Sequence, residues 1–256
     1  VTAAGPSWAG AVDGVLFDID DTLVDTRGAF GAALADVART YLPHLGPERL
    51  ADVVAAWRAD PARHYERYTR GEVTYRDQRL ARANSLHDQF GGVVLDDASF
   101  DAWNEVFERG FSAAWAAHPE AHDVVDRLIG AGLAVGALTN AAVAYQTGKL
   151  ARAGLDHRVP VLVGVDTLGV GKPDPRVFVE ACRRLGTDPA RTVYVGDELD
   201  VDARAAVAAG LRGVWVDRPG PRRVTIPDDH IRAARDAGVR VVPSLTELPE
   251  LLALPT

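Results

Sequence analysis

The stretch Val15-Leu16-Phe17-Asp18-Ile19-Asp20-Asp21-Thr22-Leu23-Val24-Asp25 decides how this chain is read. An apolar run from Val12 reads as a buried strand and passes directly into four carboxylates, Asp18, Asp20, Asp21 and Asp25. Carboxylates this close repel one another. At the end of a packed strand they are tolerable only with positive charge among them, which for oxygen ligands means a hard cation such as Mg²⁺. Taken alone, such a cluster also fits a solvated acidic turn. It does not fit a calcium loop of the EF-hand kind, which needs Gly at the sixth position and Glu at the twelfth; counting from Asp18 gives Leu23 and Ala29.

Downstream of Asp25 the pattern is helical as far as residue 116. Phe30, Leu34, Val37 and Tyr41 form one stripe ending at Pro43, and Leu50, Val53, Val54 and Trp57 a second ending before Pro61. Phe100, Trp103, Val106, Phe107, Phe111 and Trp115 make a third; at this spacing such residues are core rather than a cofactor box. Between them, Arg63 to Gly71 and then Tyr75, Arg76, Arg79 and Arg82 interleave arginines with rings. Glu66, Glu72 and Asp77 dilute that charge, so the segment reads as a solvated face, with Arg63, Tyr65, Tyr68, Arg70 and Arg76 kept as candidates for contact with a substrate. His118 and His122 stand four apart, but Pro119 interrupts the helix and favours a helix entrance over a metal pair.

From residue 123 helices alternate with short apolar strands. The expected strands are Leu133 to Leu138, Val159 to Val165, Thr192 to Val195, Gly213 to Asp217 and Val239 to Val242, with a Pro- and Arg-rich loop around residues 218 to 223. This rhythm implies a parallel sheet whose loops gather in one crevice at the carboxyl ends of the strands, bringing Asp18, Thr139, Lys172 and Asp197 to or near one site. Thr139 to Lys172 and Lys172 to Asp197 each fit one strand-helix unit, whereas Asp18 to Thr139 is several times too long. Residues 26–116 are therefore an insertion, expected as a helical cap. The core is expected at 1–25 and 117–256, an α/β, Rossmann-like doubly wound parallel sheet.

Composition narrows the function. No apolar run is long enough to span a membrane, and Val1 to Pro6 lacks the regions of a signal peptide, so a cytoplasmic protein with no membrane partner is expected. The net charge of −8 disfavours nucleic acid, and the single Cys182 excludes an intrachain disulfide framework and reads as a helix-packed thiol. Gly169-Val170-Gly171 lacks the third glycine of a dinucleotide fingerprint, because Asp174 stands there; the Walker spacing fails at Asp166; and Gly110 to Ala114 lies in a helical pattern rather than at a serine nucleophile elbow.

Asp18-Ile19-Asp20-Asp21-Thr22, Thr139 after an apolar strand, Lys172 before Pro173, and Gly196-Asp197 with Asp202 together resemble the four motifs of the haloacid dehalogenase superfamily. The resemblance implies a phosphatase-like hydrolase with a helical cap after the first strand. It implies Asp18 as nucleophile, Asp20 as general acid and base, Lys172 as the neutralising cation, and Thr139, Asn140 and Asp21 on the substrate side. Mg²⁺ would be held by Asp18, the backbone carbonyl of Asp20, and Asp197, with Glu198 and Asp202 orienting its waters. Asp21 departs from the glycine commonest at its position. Asp20 favours ester hydrolysis over dehalogenation, since dehalogenases of the superfamily lack that second aspartate. The expected reaction is Mg²⁺-dependent hydrolysis of a small phosphorylated metabolite through an aspartyl-phosphate, by a monomer or weak homodimer. A phosphoryl-transferring mutase or a 2-haloacid dehalogenase of the same fold is the alternative, and a catalytically silent binding or regulatory protein is the alternative of another class.

Overall fold

A strand with no exposed face belongs at the centre of a sheet, and β1 (Gly14–Phe17) is buried along its whole length. In the computed structural model, which describes residues 8, 12–220 and 225–254, β1 pairs in parallel with β2 (Ala134–Leu138) on one side and β4 (Thr192–Gly196) on the other. β3 (Val161–Val163), β5 (Arg212–Val216) and β6 (Arg240–Val242) complete a six-stranded sheet of order β3-β2-β1-β4-β5-β6, with every pairing parallel. Successive strands run outward on one side of β1 and then return to its other side. That reversal makes the carboxyl ends of β1 and β4 the switch point, where open α/β sheets form their crevice.

The chain divides into two compact units, one of 1–25 with 116–256 and one of 26–115. In the sheet unit, α6 (Ala121–Gly130) leads into β2, α7 (Val143–Arg152) joins β2 to β3, and α8 (Val165–Leu168) and α9 (Pro175–Leu185) lead to β4. A π-helical turn at Leu199–Arg204 runs into α10 (Ala205–Ala208) before β5, α11 (Asp228–Asp236) precedes β6, and α12 (Leu248–Leu251) follows it. Leu16, Leu138, Val163 and Tyr194 on one face of the sheet pack with Val177, Phe178, Ala181 and Cys182 of α9 and with Ala205 and Ala206 of α10. Cys182 is thus a packed helix thiol, and burial pushes its pKa up. The alternate residues Val15, Phe17, Val193 and Val195 are equally buried, as expected of a strand core covered on both faces.

The other unit contains α1 (Thr26–Tyr41), α2 (Leu50–Ala59), α3 (His64–Thr69), α4 (Tyr75–Phe90) and α5 (Asp97–Ala113). Capping boxes at Thr74 with Asp77 and at Asp96 with Ser99 start α4 and α5. Trp57, Trp103 and Phe107 stack with ring centroids 5.8 to 6.1 Å apart within its core. The arginines of α4 correct the expectation of a solvated face. Arg79 is buried with its guanidinium 4.0 Å from the Phe107 ring centroid, and Arg82 lies 4.2 Å from that of Trp57 while donating to the Trp57 carbonyl at 2.6 Å. A planar, weakly hydrated guanidinium can lie on an aromatic face where an ammonium would stay in water. Arg76 does stay at the surface, paired with Asp101.

His118 donates its backbone N–H to Leu23 and accepts from Ala121 at the start of α6, which is a helix entrance. No helix among the described residues is long and apolar enough to cross a membrane. The N-terminal segment read for a signal peptide and the part of the Pro- and Arg-rich loop at 221–224 lie outside the described residues.

Close packing reaches the loops as well. A Cβ on Gly213 of β5 would run into the carbonyl oxygen of Ala203, in the π-helical turn that carries Asp202. Because backbone meets backbone there, the strain cannot be relieved by a side-chain rotation. Gly213→Ala is expected to lose about 1–3 kcal/mol in urea unfolding; an unchanged midpoint would contradict this close approach.

Candidate active site

The end of β1 delivers Asp18, and its backbone N–H continues the ladder by donating to Val195 of β4 at 2.8 Å. The Asp18 carboxylate is therefore fixed at the switch point, with the residue only 6% exposed. Lys172 meets it there: Nζ donates to Asp18 Oδ1 and Asp202 Oδ1, each at 2.6 Å, and to Tyr194 Oη at 2.8 Å. An ammonium has three protons, and these three acceptors take them all. Tyr194 donates in turn to the Leu138 carbonyl at 2.9 Å, tying the cluster to the end of β2.

The charges are severely desolvated. Burial pushes the Asp18 carboxyl well above the usual carboxylate range against the pull of Lys172, and Asp202, Asp20 and Asp197 push it further the same way. Burial works to lower the Lys172 ammonium, but Asp18 and Asp202 outweigh it and hold the group well above its ordinary value.

Lys172 does not follow a strand directly. β3 ends at Val163 and α8 intervenes, so the lysine must be carried back to the crevice. Asn140 does this by gripping both sides of one residue: its Oδ1 accepts from Lys172 N at 2.6 Å and its Nδ2 donates to Lys172 O at 2.9 Å. Asn140, expected on the substrate side, thus has its amide occupied with the Lys172 backbone. Gly171 permits the approach, since a Cβ there would stand 2.5 Å from Asn140 Oδ1. Asp197 follows β4, and its carbonyl accepts from Trp215 Nε1 at 2.8 Å. Asp202 Oδ2 accepts from the Glu198 N–H at 2.9 Å, which closes the turn against the strand end.

The loop after Asp18 is held separately. Ile19 O accepts from Leu23 N and Val24 N, and Asp21 N donates to Val24 O. Asp21 has φ +58°, the left-handed region that glycine enters freely and that Asp tolerates better than most residues. This accounts physically for an aspartate where a glycine is commonest. Arg218, beyond β5, pins the turn through Nε to Asp21 O at 3.3 Å and Nη2 to Thr22 O at 3.0 Å. Its Nη1 meets Glu120 Oε1 at 2.5 Å. Burial works to raise the Glu120 carboxyl, but Arg218 outweighs it and holds the group below its ordinary value.

Two residues that the motifs did not single out complete the constellation. Gln146 and Lys149 of α7 both reach Asp20: Gln146 Nε2 donates to Asp20 Oδ2 at 2.7 Å, and Lys149 Nζ pairs with Asp20 Oδ1. The same Gln146 amide donates to Thr139 Oγ1 at 3.1 Å. A usable signal exists in the sequence, since Gln and Lys three apart share a face of the helix that follows the strand before Thr139.

A family model for haloacid dehalogenase-like hydrolases matches residues 12–210. The chain belongs to this family. Among curated relatives of this haloacid dehalogenase-like hydrolase, the glyceraldehyde 3-phosphate phosphatase of Methanopyrus kandleri is 30% identical over 240 residues, covering 88% of this chain and 95% of that one. The phosphoserine phosphatase of Thermus thermophilus is 41% identical over 101 residues, 40% of this chain and 41% of its own. Among solved structures, the HAD-hydrolase YfnB from Bacillus subtilis bound to magnesium superposes with a TM-score of 0.71 at 20% identity, covering 95% of this chain and 99% of that one.

Phosphatases of this family typically use a metal ion, and the site fits one. Asp18, Asp197 and Asp202 each offer a carboxylate oxygen, all within 4.8 Å of one another, an all-oxygen set suited to a hard cation. Three carboxylates and one ammonium leave net negative charge, and an added cation would oppose the burial and like-charge repulsion that now raise the Asp18 carboxyl.

The Lys172 bridge carries a stability prediction. Lys172→Met leaves Asp18 and Asp202 buried against each other without their shared donor, and breaking a buried charge pair costs about 3–5 kcal/mol. Chemical denaturation without added metal should show a loss of that size; a change within experimental error would mean that the ammonium is not the counter-charge of the cluster.

Proposed function

We propose that this chain is a Mg²⁺-dependent phosphatase that hydrolyses a small phosphorylated metabolite through an aspartyl-phosphate on Asp18. The observation that carries the reading is the Asp18–Lys172–Asp202 cluster at the switch point, with a second carboxylate, Asp20, two residues from the first. The phosphatase names of the curated relatives support it.

In this reading the Asp18 carboxylate attacks phosphorus and the leaving alkoxide takes a proton from Asp20; Asp20 then receives a proton from the water that hydrolyses the intermediate. Lys172 holds Asp18 in place and offsets negative charge as the phosphoryl group approaches. Thr139 Oγ1 accepts from Gln146 and from Ala141 N at 3.3 Å, which leaves its hydroxyl proton for a phosphoryl oxygen. Asn140 and Asp21 act by shape, the first by holding Lys172 and the second by turning the loop. Asp18, Asp197 and the backbone carbonyl of Asp20 are the proposed ligands of Mg²⁺, with Asp202 and Glu198 behind them; when bound, the ion supplies positive charge to the phosphoryl oxygens. We propose that the helical unit, 26–115, acts as a cap that excludes water and selects the leaving group.

Release of inorganic phosphate from a panel of small phosphate esters tests the reading. Turnover should require Mg²⁺ and be lost with chelator, and Asp18→Asn should lower kcat by at least about a thousandfold. Turnover that survives both changes, or no release from any ester, would contradict it.

A further inference from the structure

Lys149 is 2% exposed and Gln146 is fully buried, yet neither belongs to the charge cluster around Lys172. An ammonium enters a protein interior only with a partner, and Lys149 is paired with Asp20. The three-residue spacing places both side chains on the inward face of α7, so one helix presents two N–H donors to the two oxygens of one carboxylate. An ionised carboxylate only accepts, which fixes the Gln146 amide with its nitrogen toward Asp20. That nitrogen also meets Thr139, so a single amide sets the spacing between the Asp20 carboxylate and the hydroxyl at the end of β2. Lys172 cannot do this work, because its three protons are already placed on Asp18, Asp202 and Tyr194. The Asp20 side chain is still 37% exposed, so it is not sealed from solvent.

We propose that Lys149, together with Gln146, is a positioning residue of the reaction: the two side chains hold the Asp20 carboxylate in the orientation that accepts a proton from the hydrolytic water. The inference rests on the phosphatase reading and goes beyond it in naming what aims the base. In the step concerned, the water oxygen bonds to phosphorus and the bond from phosphorus to the Asp18 oxygen breaks. Its electron pair returns to the Asp18 carboxylate, and the proton leaving the water goes to Asp20. Formation of the intermediate from an ester whose leaving group needs no proton makes no call on this orientation. Loss of Lys149 therefore slows the second half of the cycle more than the first.

The test is rapid-mixing kinetics with 4-nitrophenyl phosphate and Mg²⁺ on the parent enzyme, Lys149→Met and Lys149→Arg. Lys149→Met should give a burst of nitrophenolate approaching one per chain, then a steady rate lower by about 10- to 100-fold. Lys149→Arg should recover most of the steady rate and lose the burst. A steady rate for Lys149→Met within twofold of the parent, or a lowered rate with no burst, overturns the proposal. Should Lys149→Met fail to fold, Gln146→Leu gives the same readout, with the same two outcomes counting for and against. The parent separates the two claims: if it releases no phosphate, the phosphatase reading falls and takes this one with it, whereas a turning-over parent beside a burst-free variant removes only the positioning role.

Discussion

The buried acids Asp18 and Asp202 depend on one shared ammonium. Lys172 Nζ lies at hydrogen-bond distance from two buried carboxylates and a buried phenol, with no proton left over. Without it, the desolvated Asp18 carboxyl facing a second acid would favour the protonated form still more, and a protonated Asp18 is a poor nucleophile. The bridge also links distant parts of the chain, since Asp18 ends β1, Asp202 lies in the turn after β4, and Tyr194 reaches the end of β2. Charge balance and the register of the three central strands are thus the same constraint.

The loops that carry the reacting groups have separate backbone supports. Asn140 grips Lys172 at both main-chain atoms, Arg218 binds the carbonyls of Asp21 and Thr22, and Glu198 N–H closes on Asp202. The first two supports join residues far apart in sequence and the third closes a local turn after β4, so the site is built on rigid elements even where its side chains sit on loops. Gly171 and Gly213 mark two places near these supports where a neighbouring side chain or backbone leaves no room for a Cβ.

Much of this was legible beforehand because it is written in apolar runs. Asp18, Thr139 and Asp197 each follow a short hydrophobic strand, and a strand's carboxyl end is where a parallel sheet presents chemistry. The helix α7 left no such trace: its buried face is Gln146, Lys149 and Leu150, and Gly148 interrupts it, so apolar periodicity passes over the segment that reaches Asp20. Tyr194 was hidden for the opposite reason, since an aromatic residue inside an apolar strand reads as core, and only the structure shows where its hydroxyl goes. Arg79 and Arg82 read as solvated because charge outweighs apolar surface in a sequence pattern, whereas in the fold their guanidinium planes lie on Phe107 and Trp57. Lys172 was legible as a residue and not as a position, because the hydrogen bonds that return it to the crevice come from Asn140, 32 residues earlier.

The most direct test of the central claim is chemical capture of the covalent intermediate. The enzyme would be mixed with a phosphate ester and Mg²⁺, quenched in acid, reduced with borohydride and mapped by mass spectrometry. The account predicts reduction at Asp18 alone, in the peptide that follows β1. Reduction at a different carboxylate, or an unmodified Asp18 in an enzyme that is turning over, would contradict it.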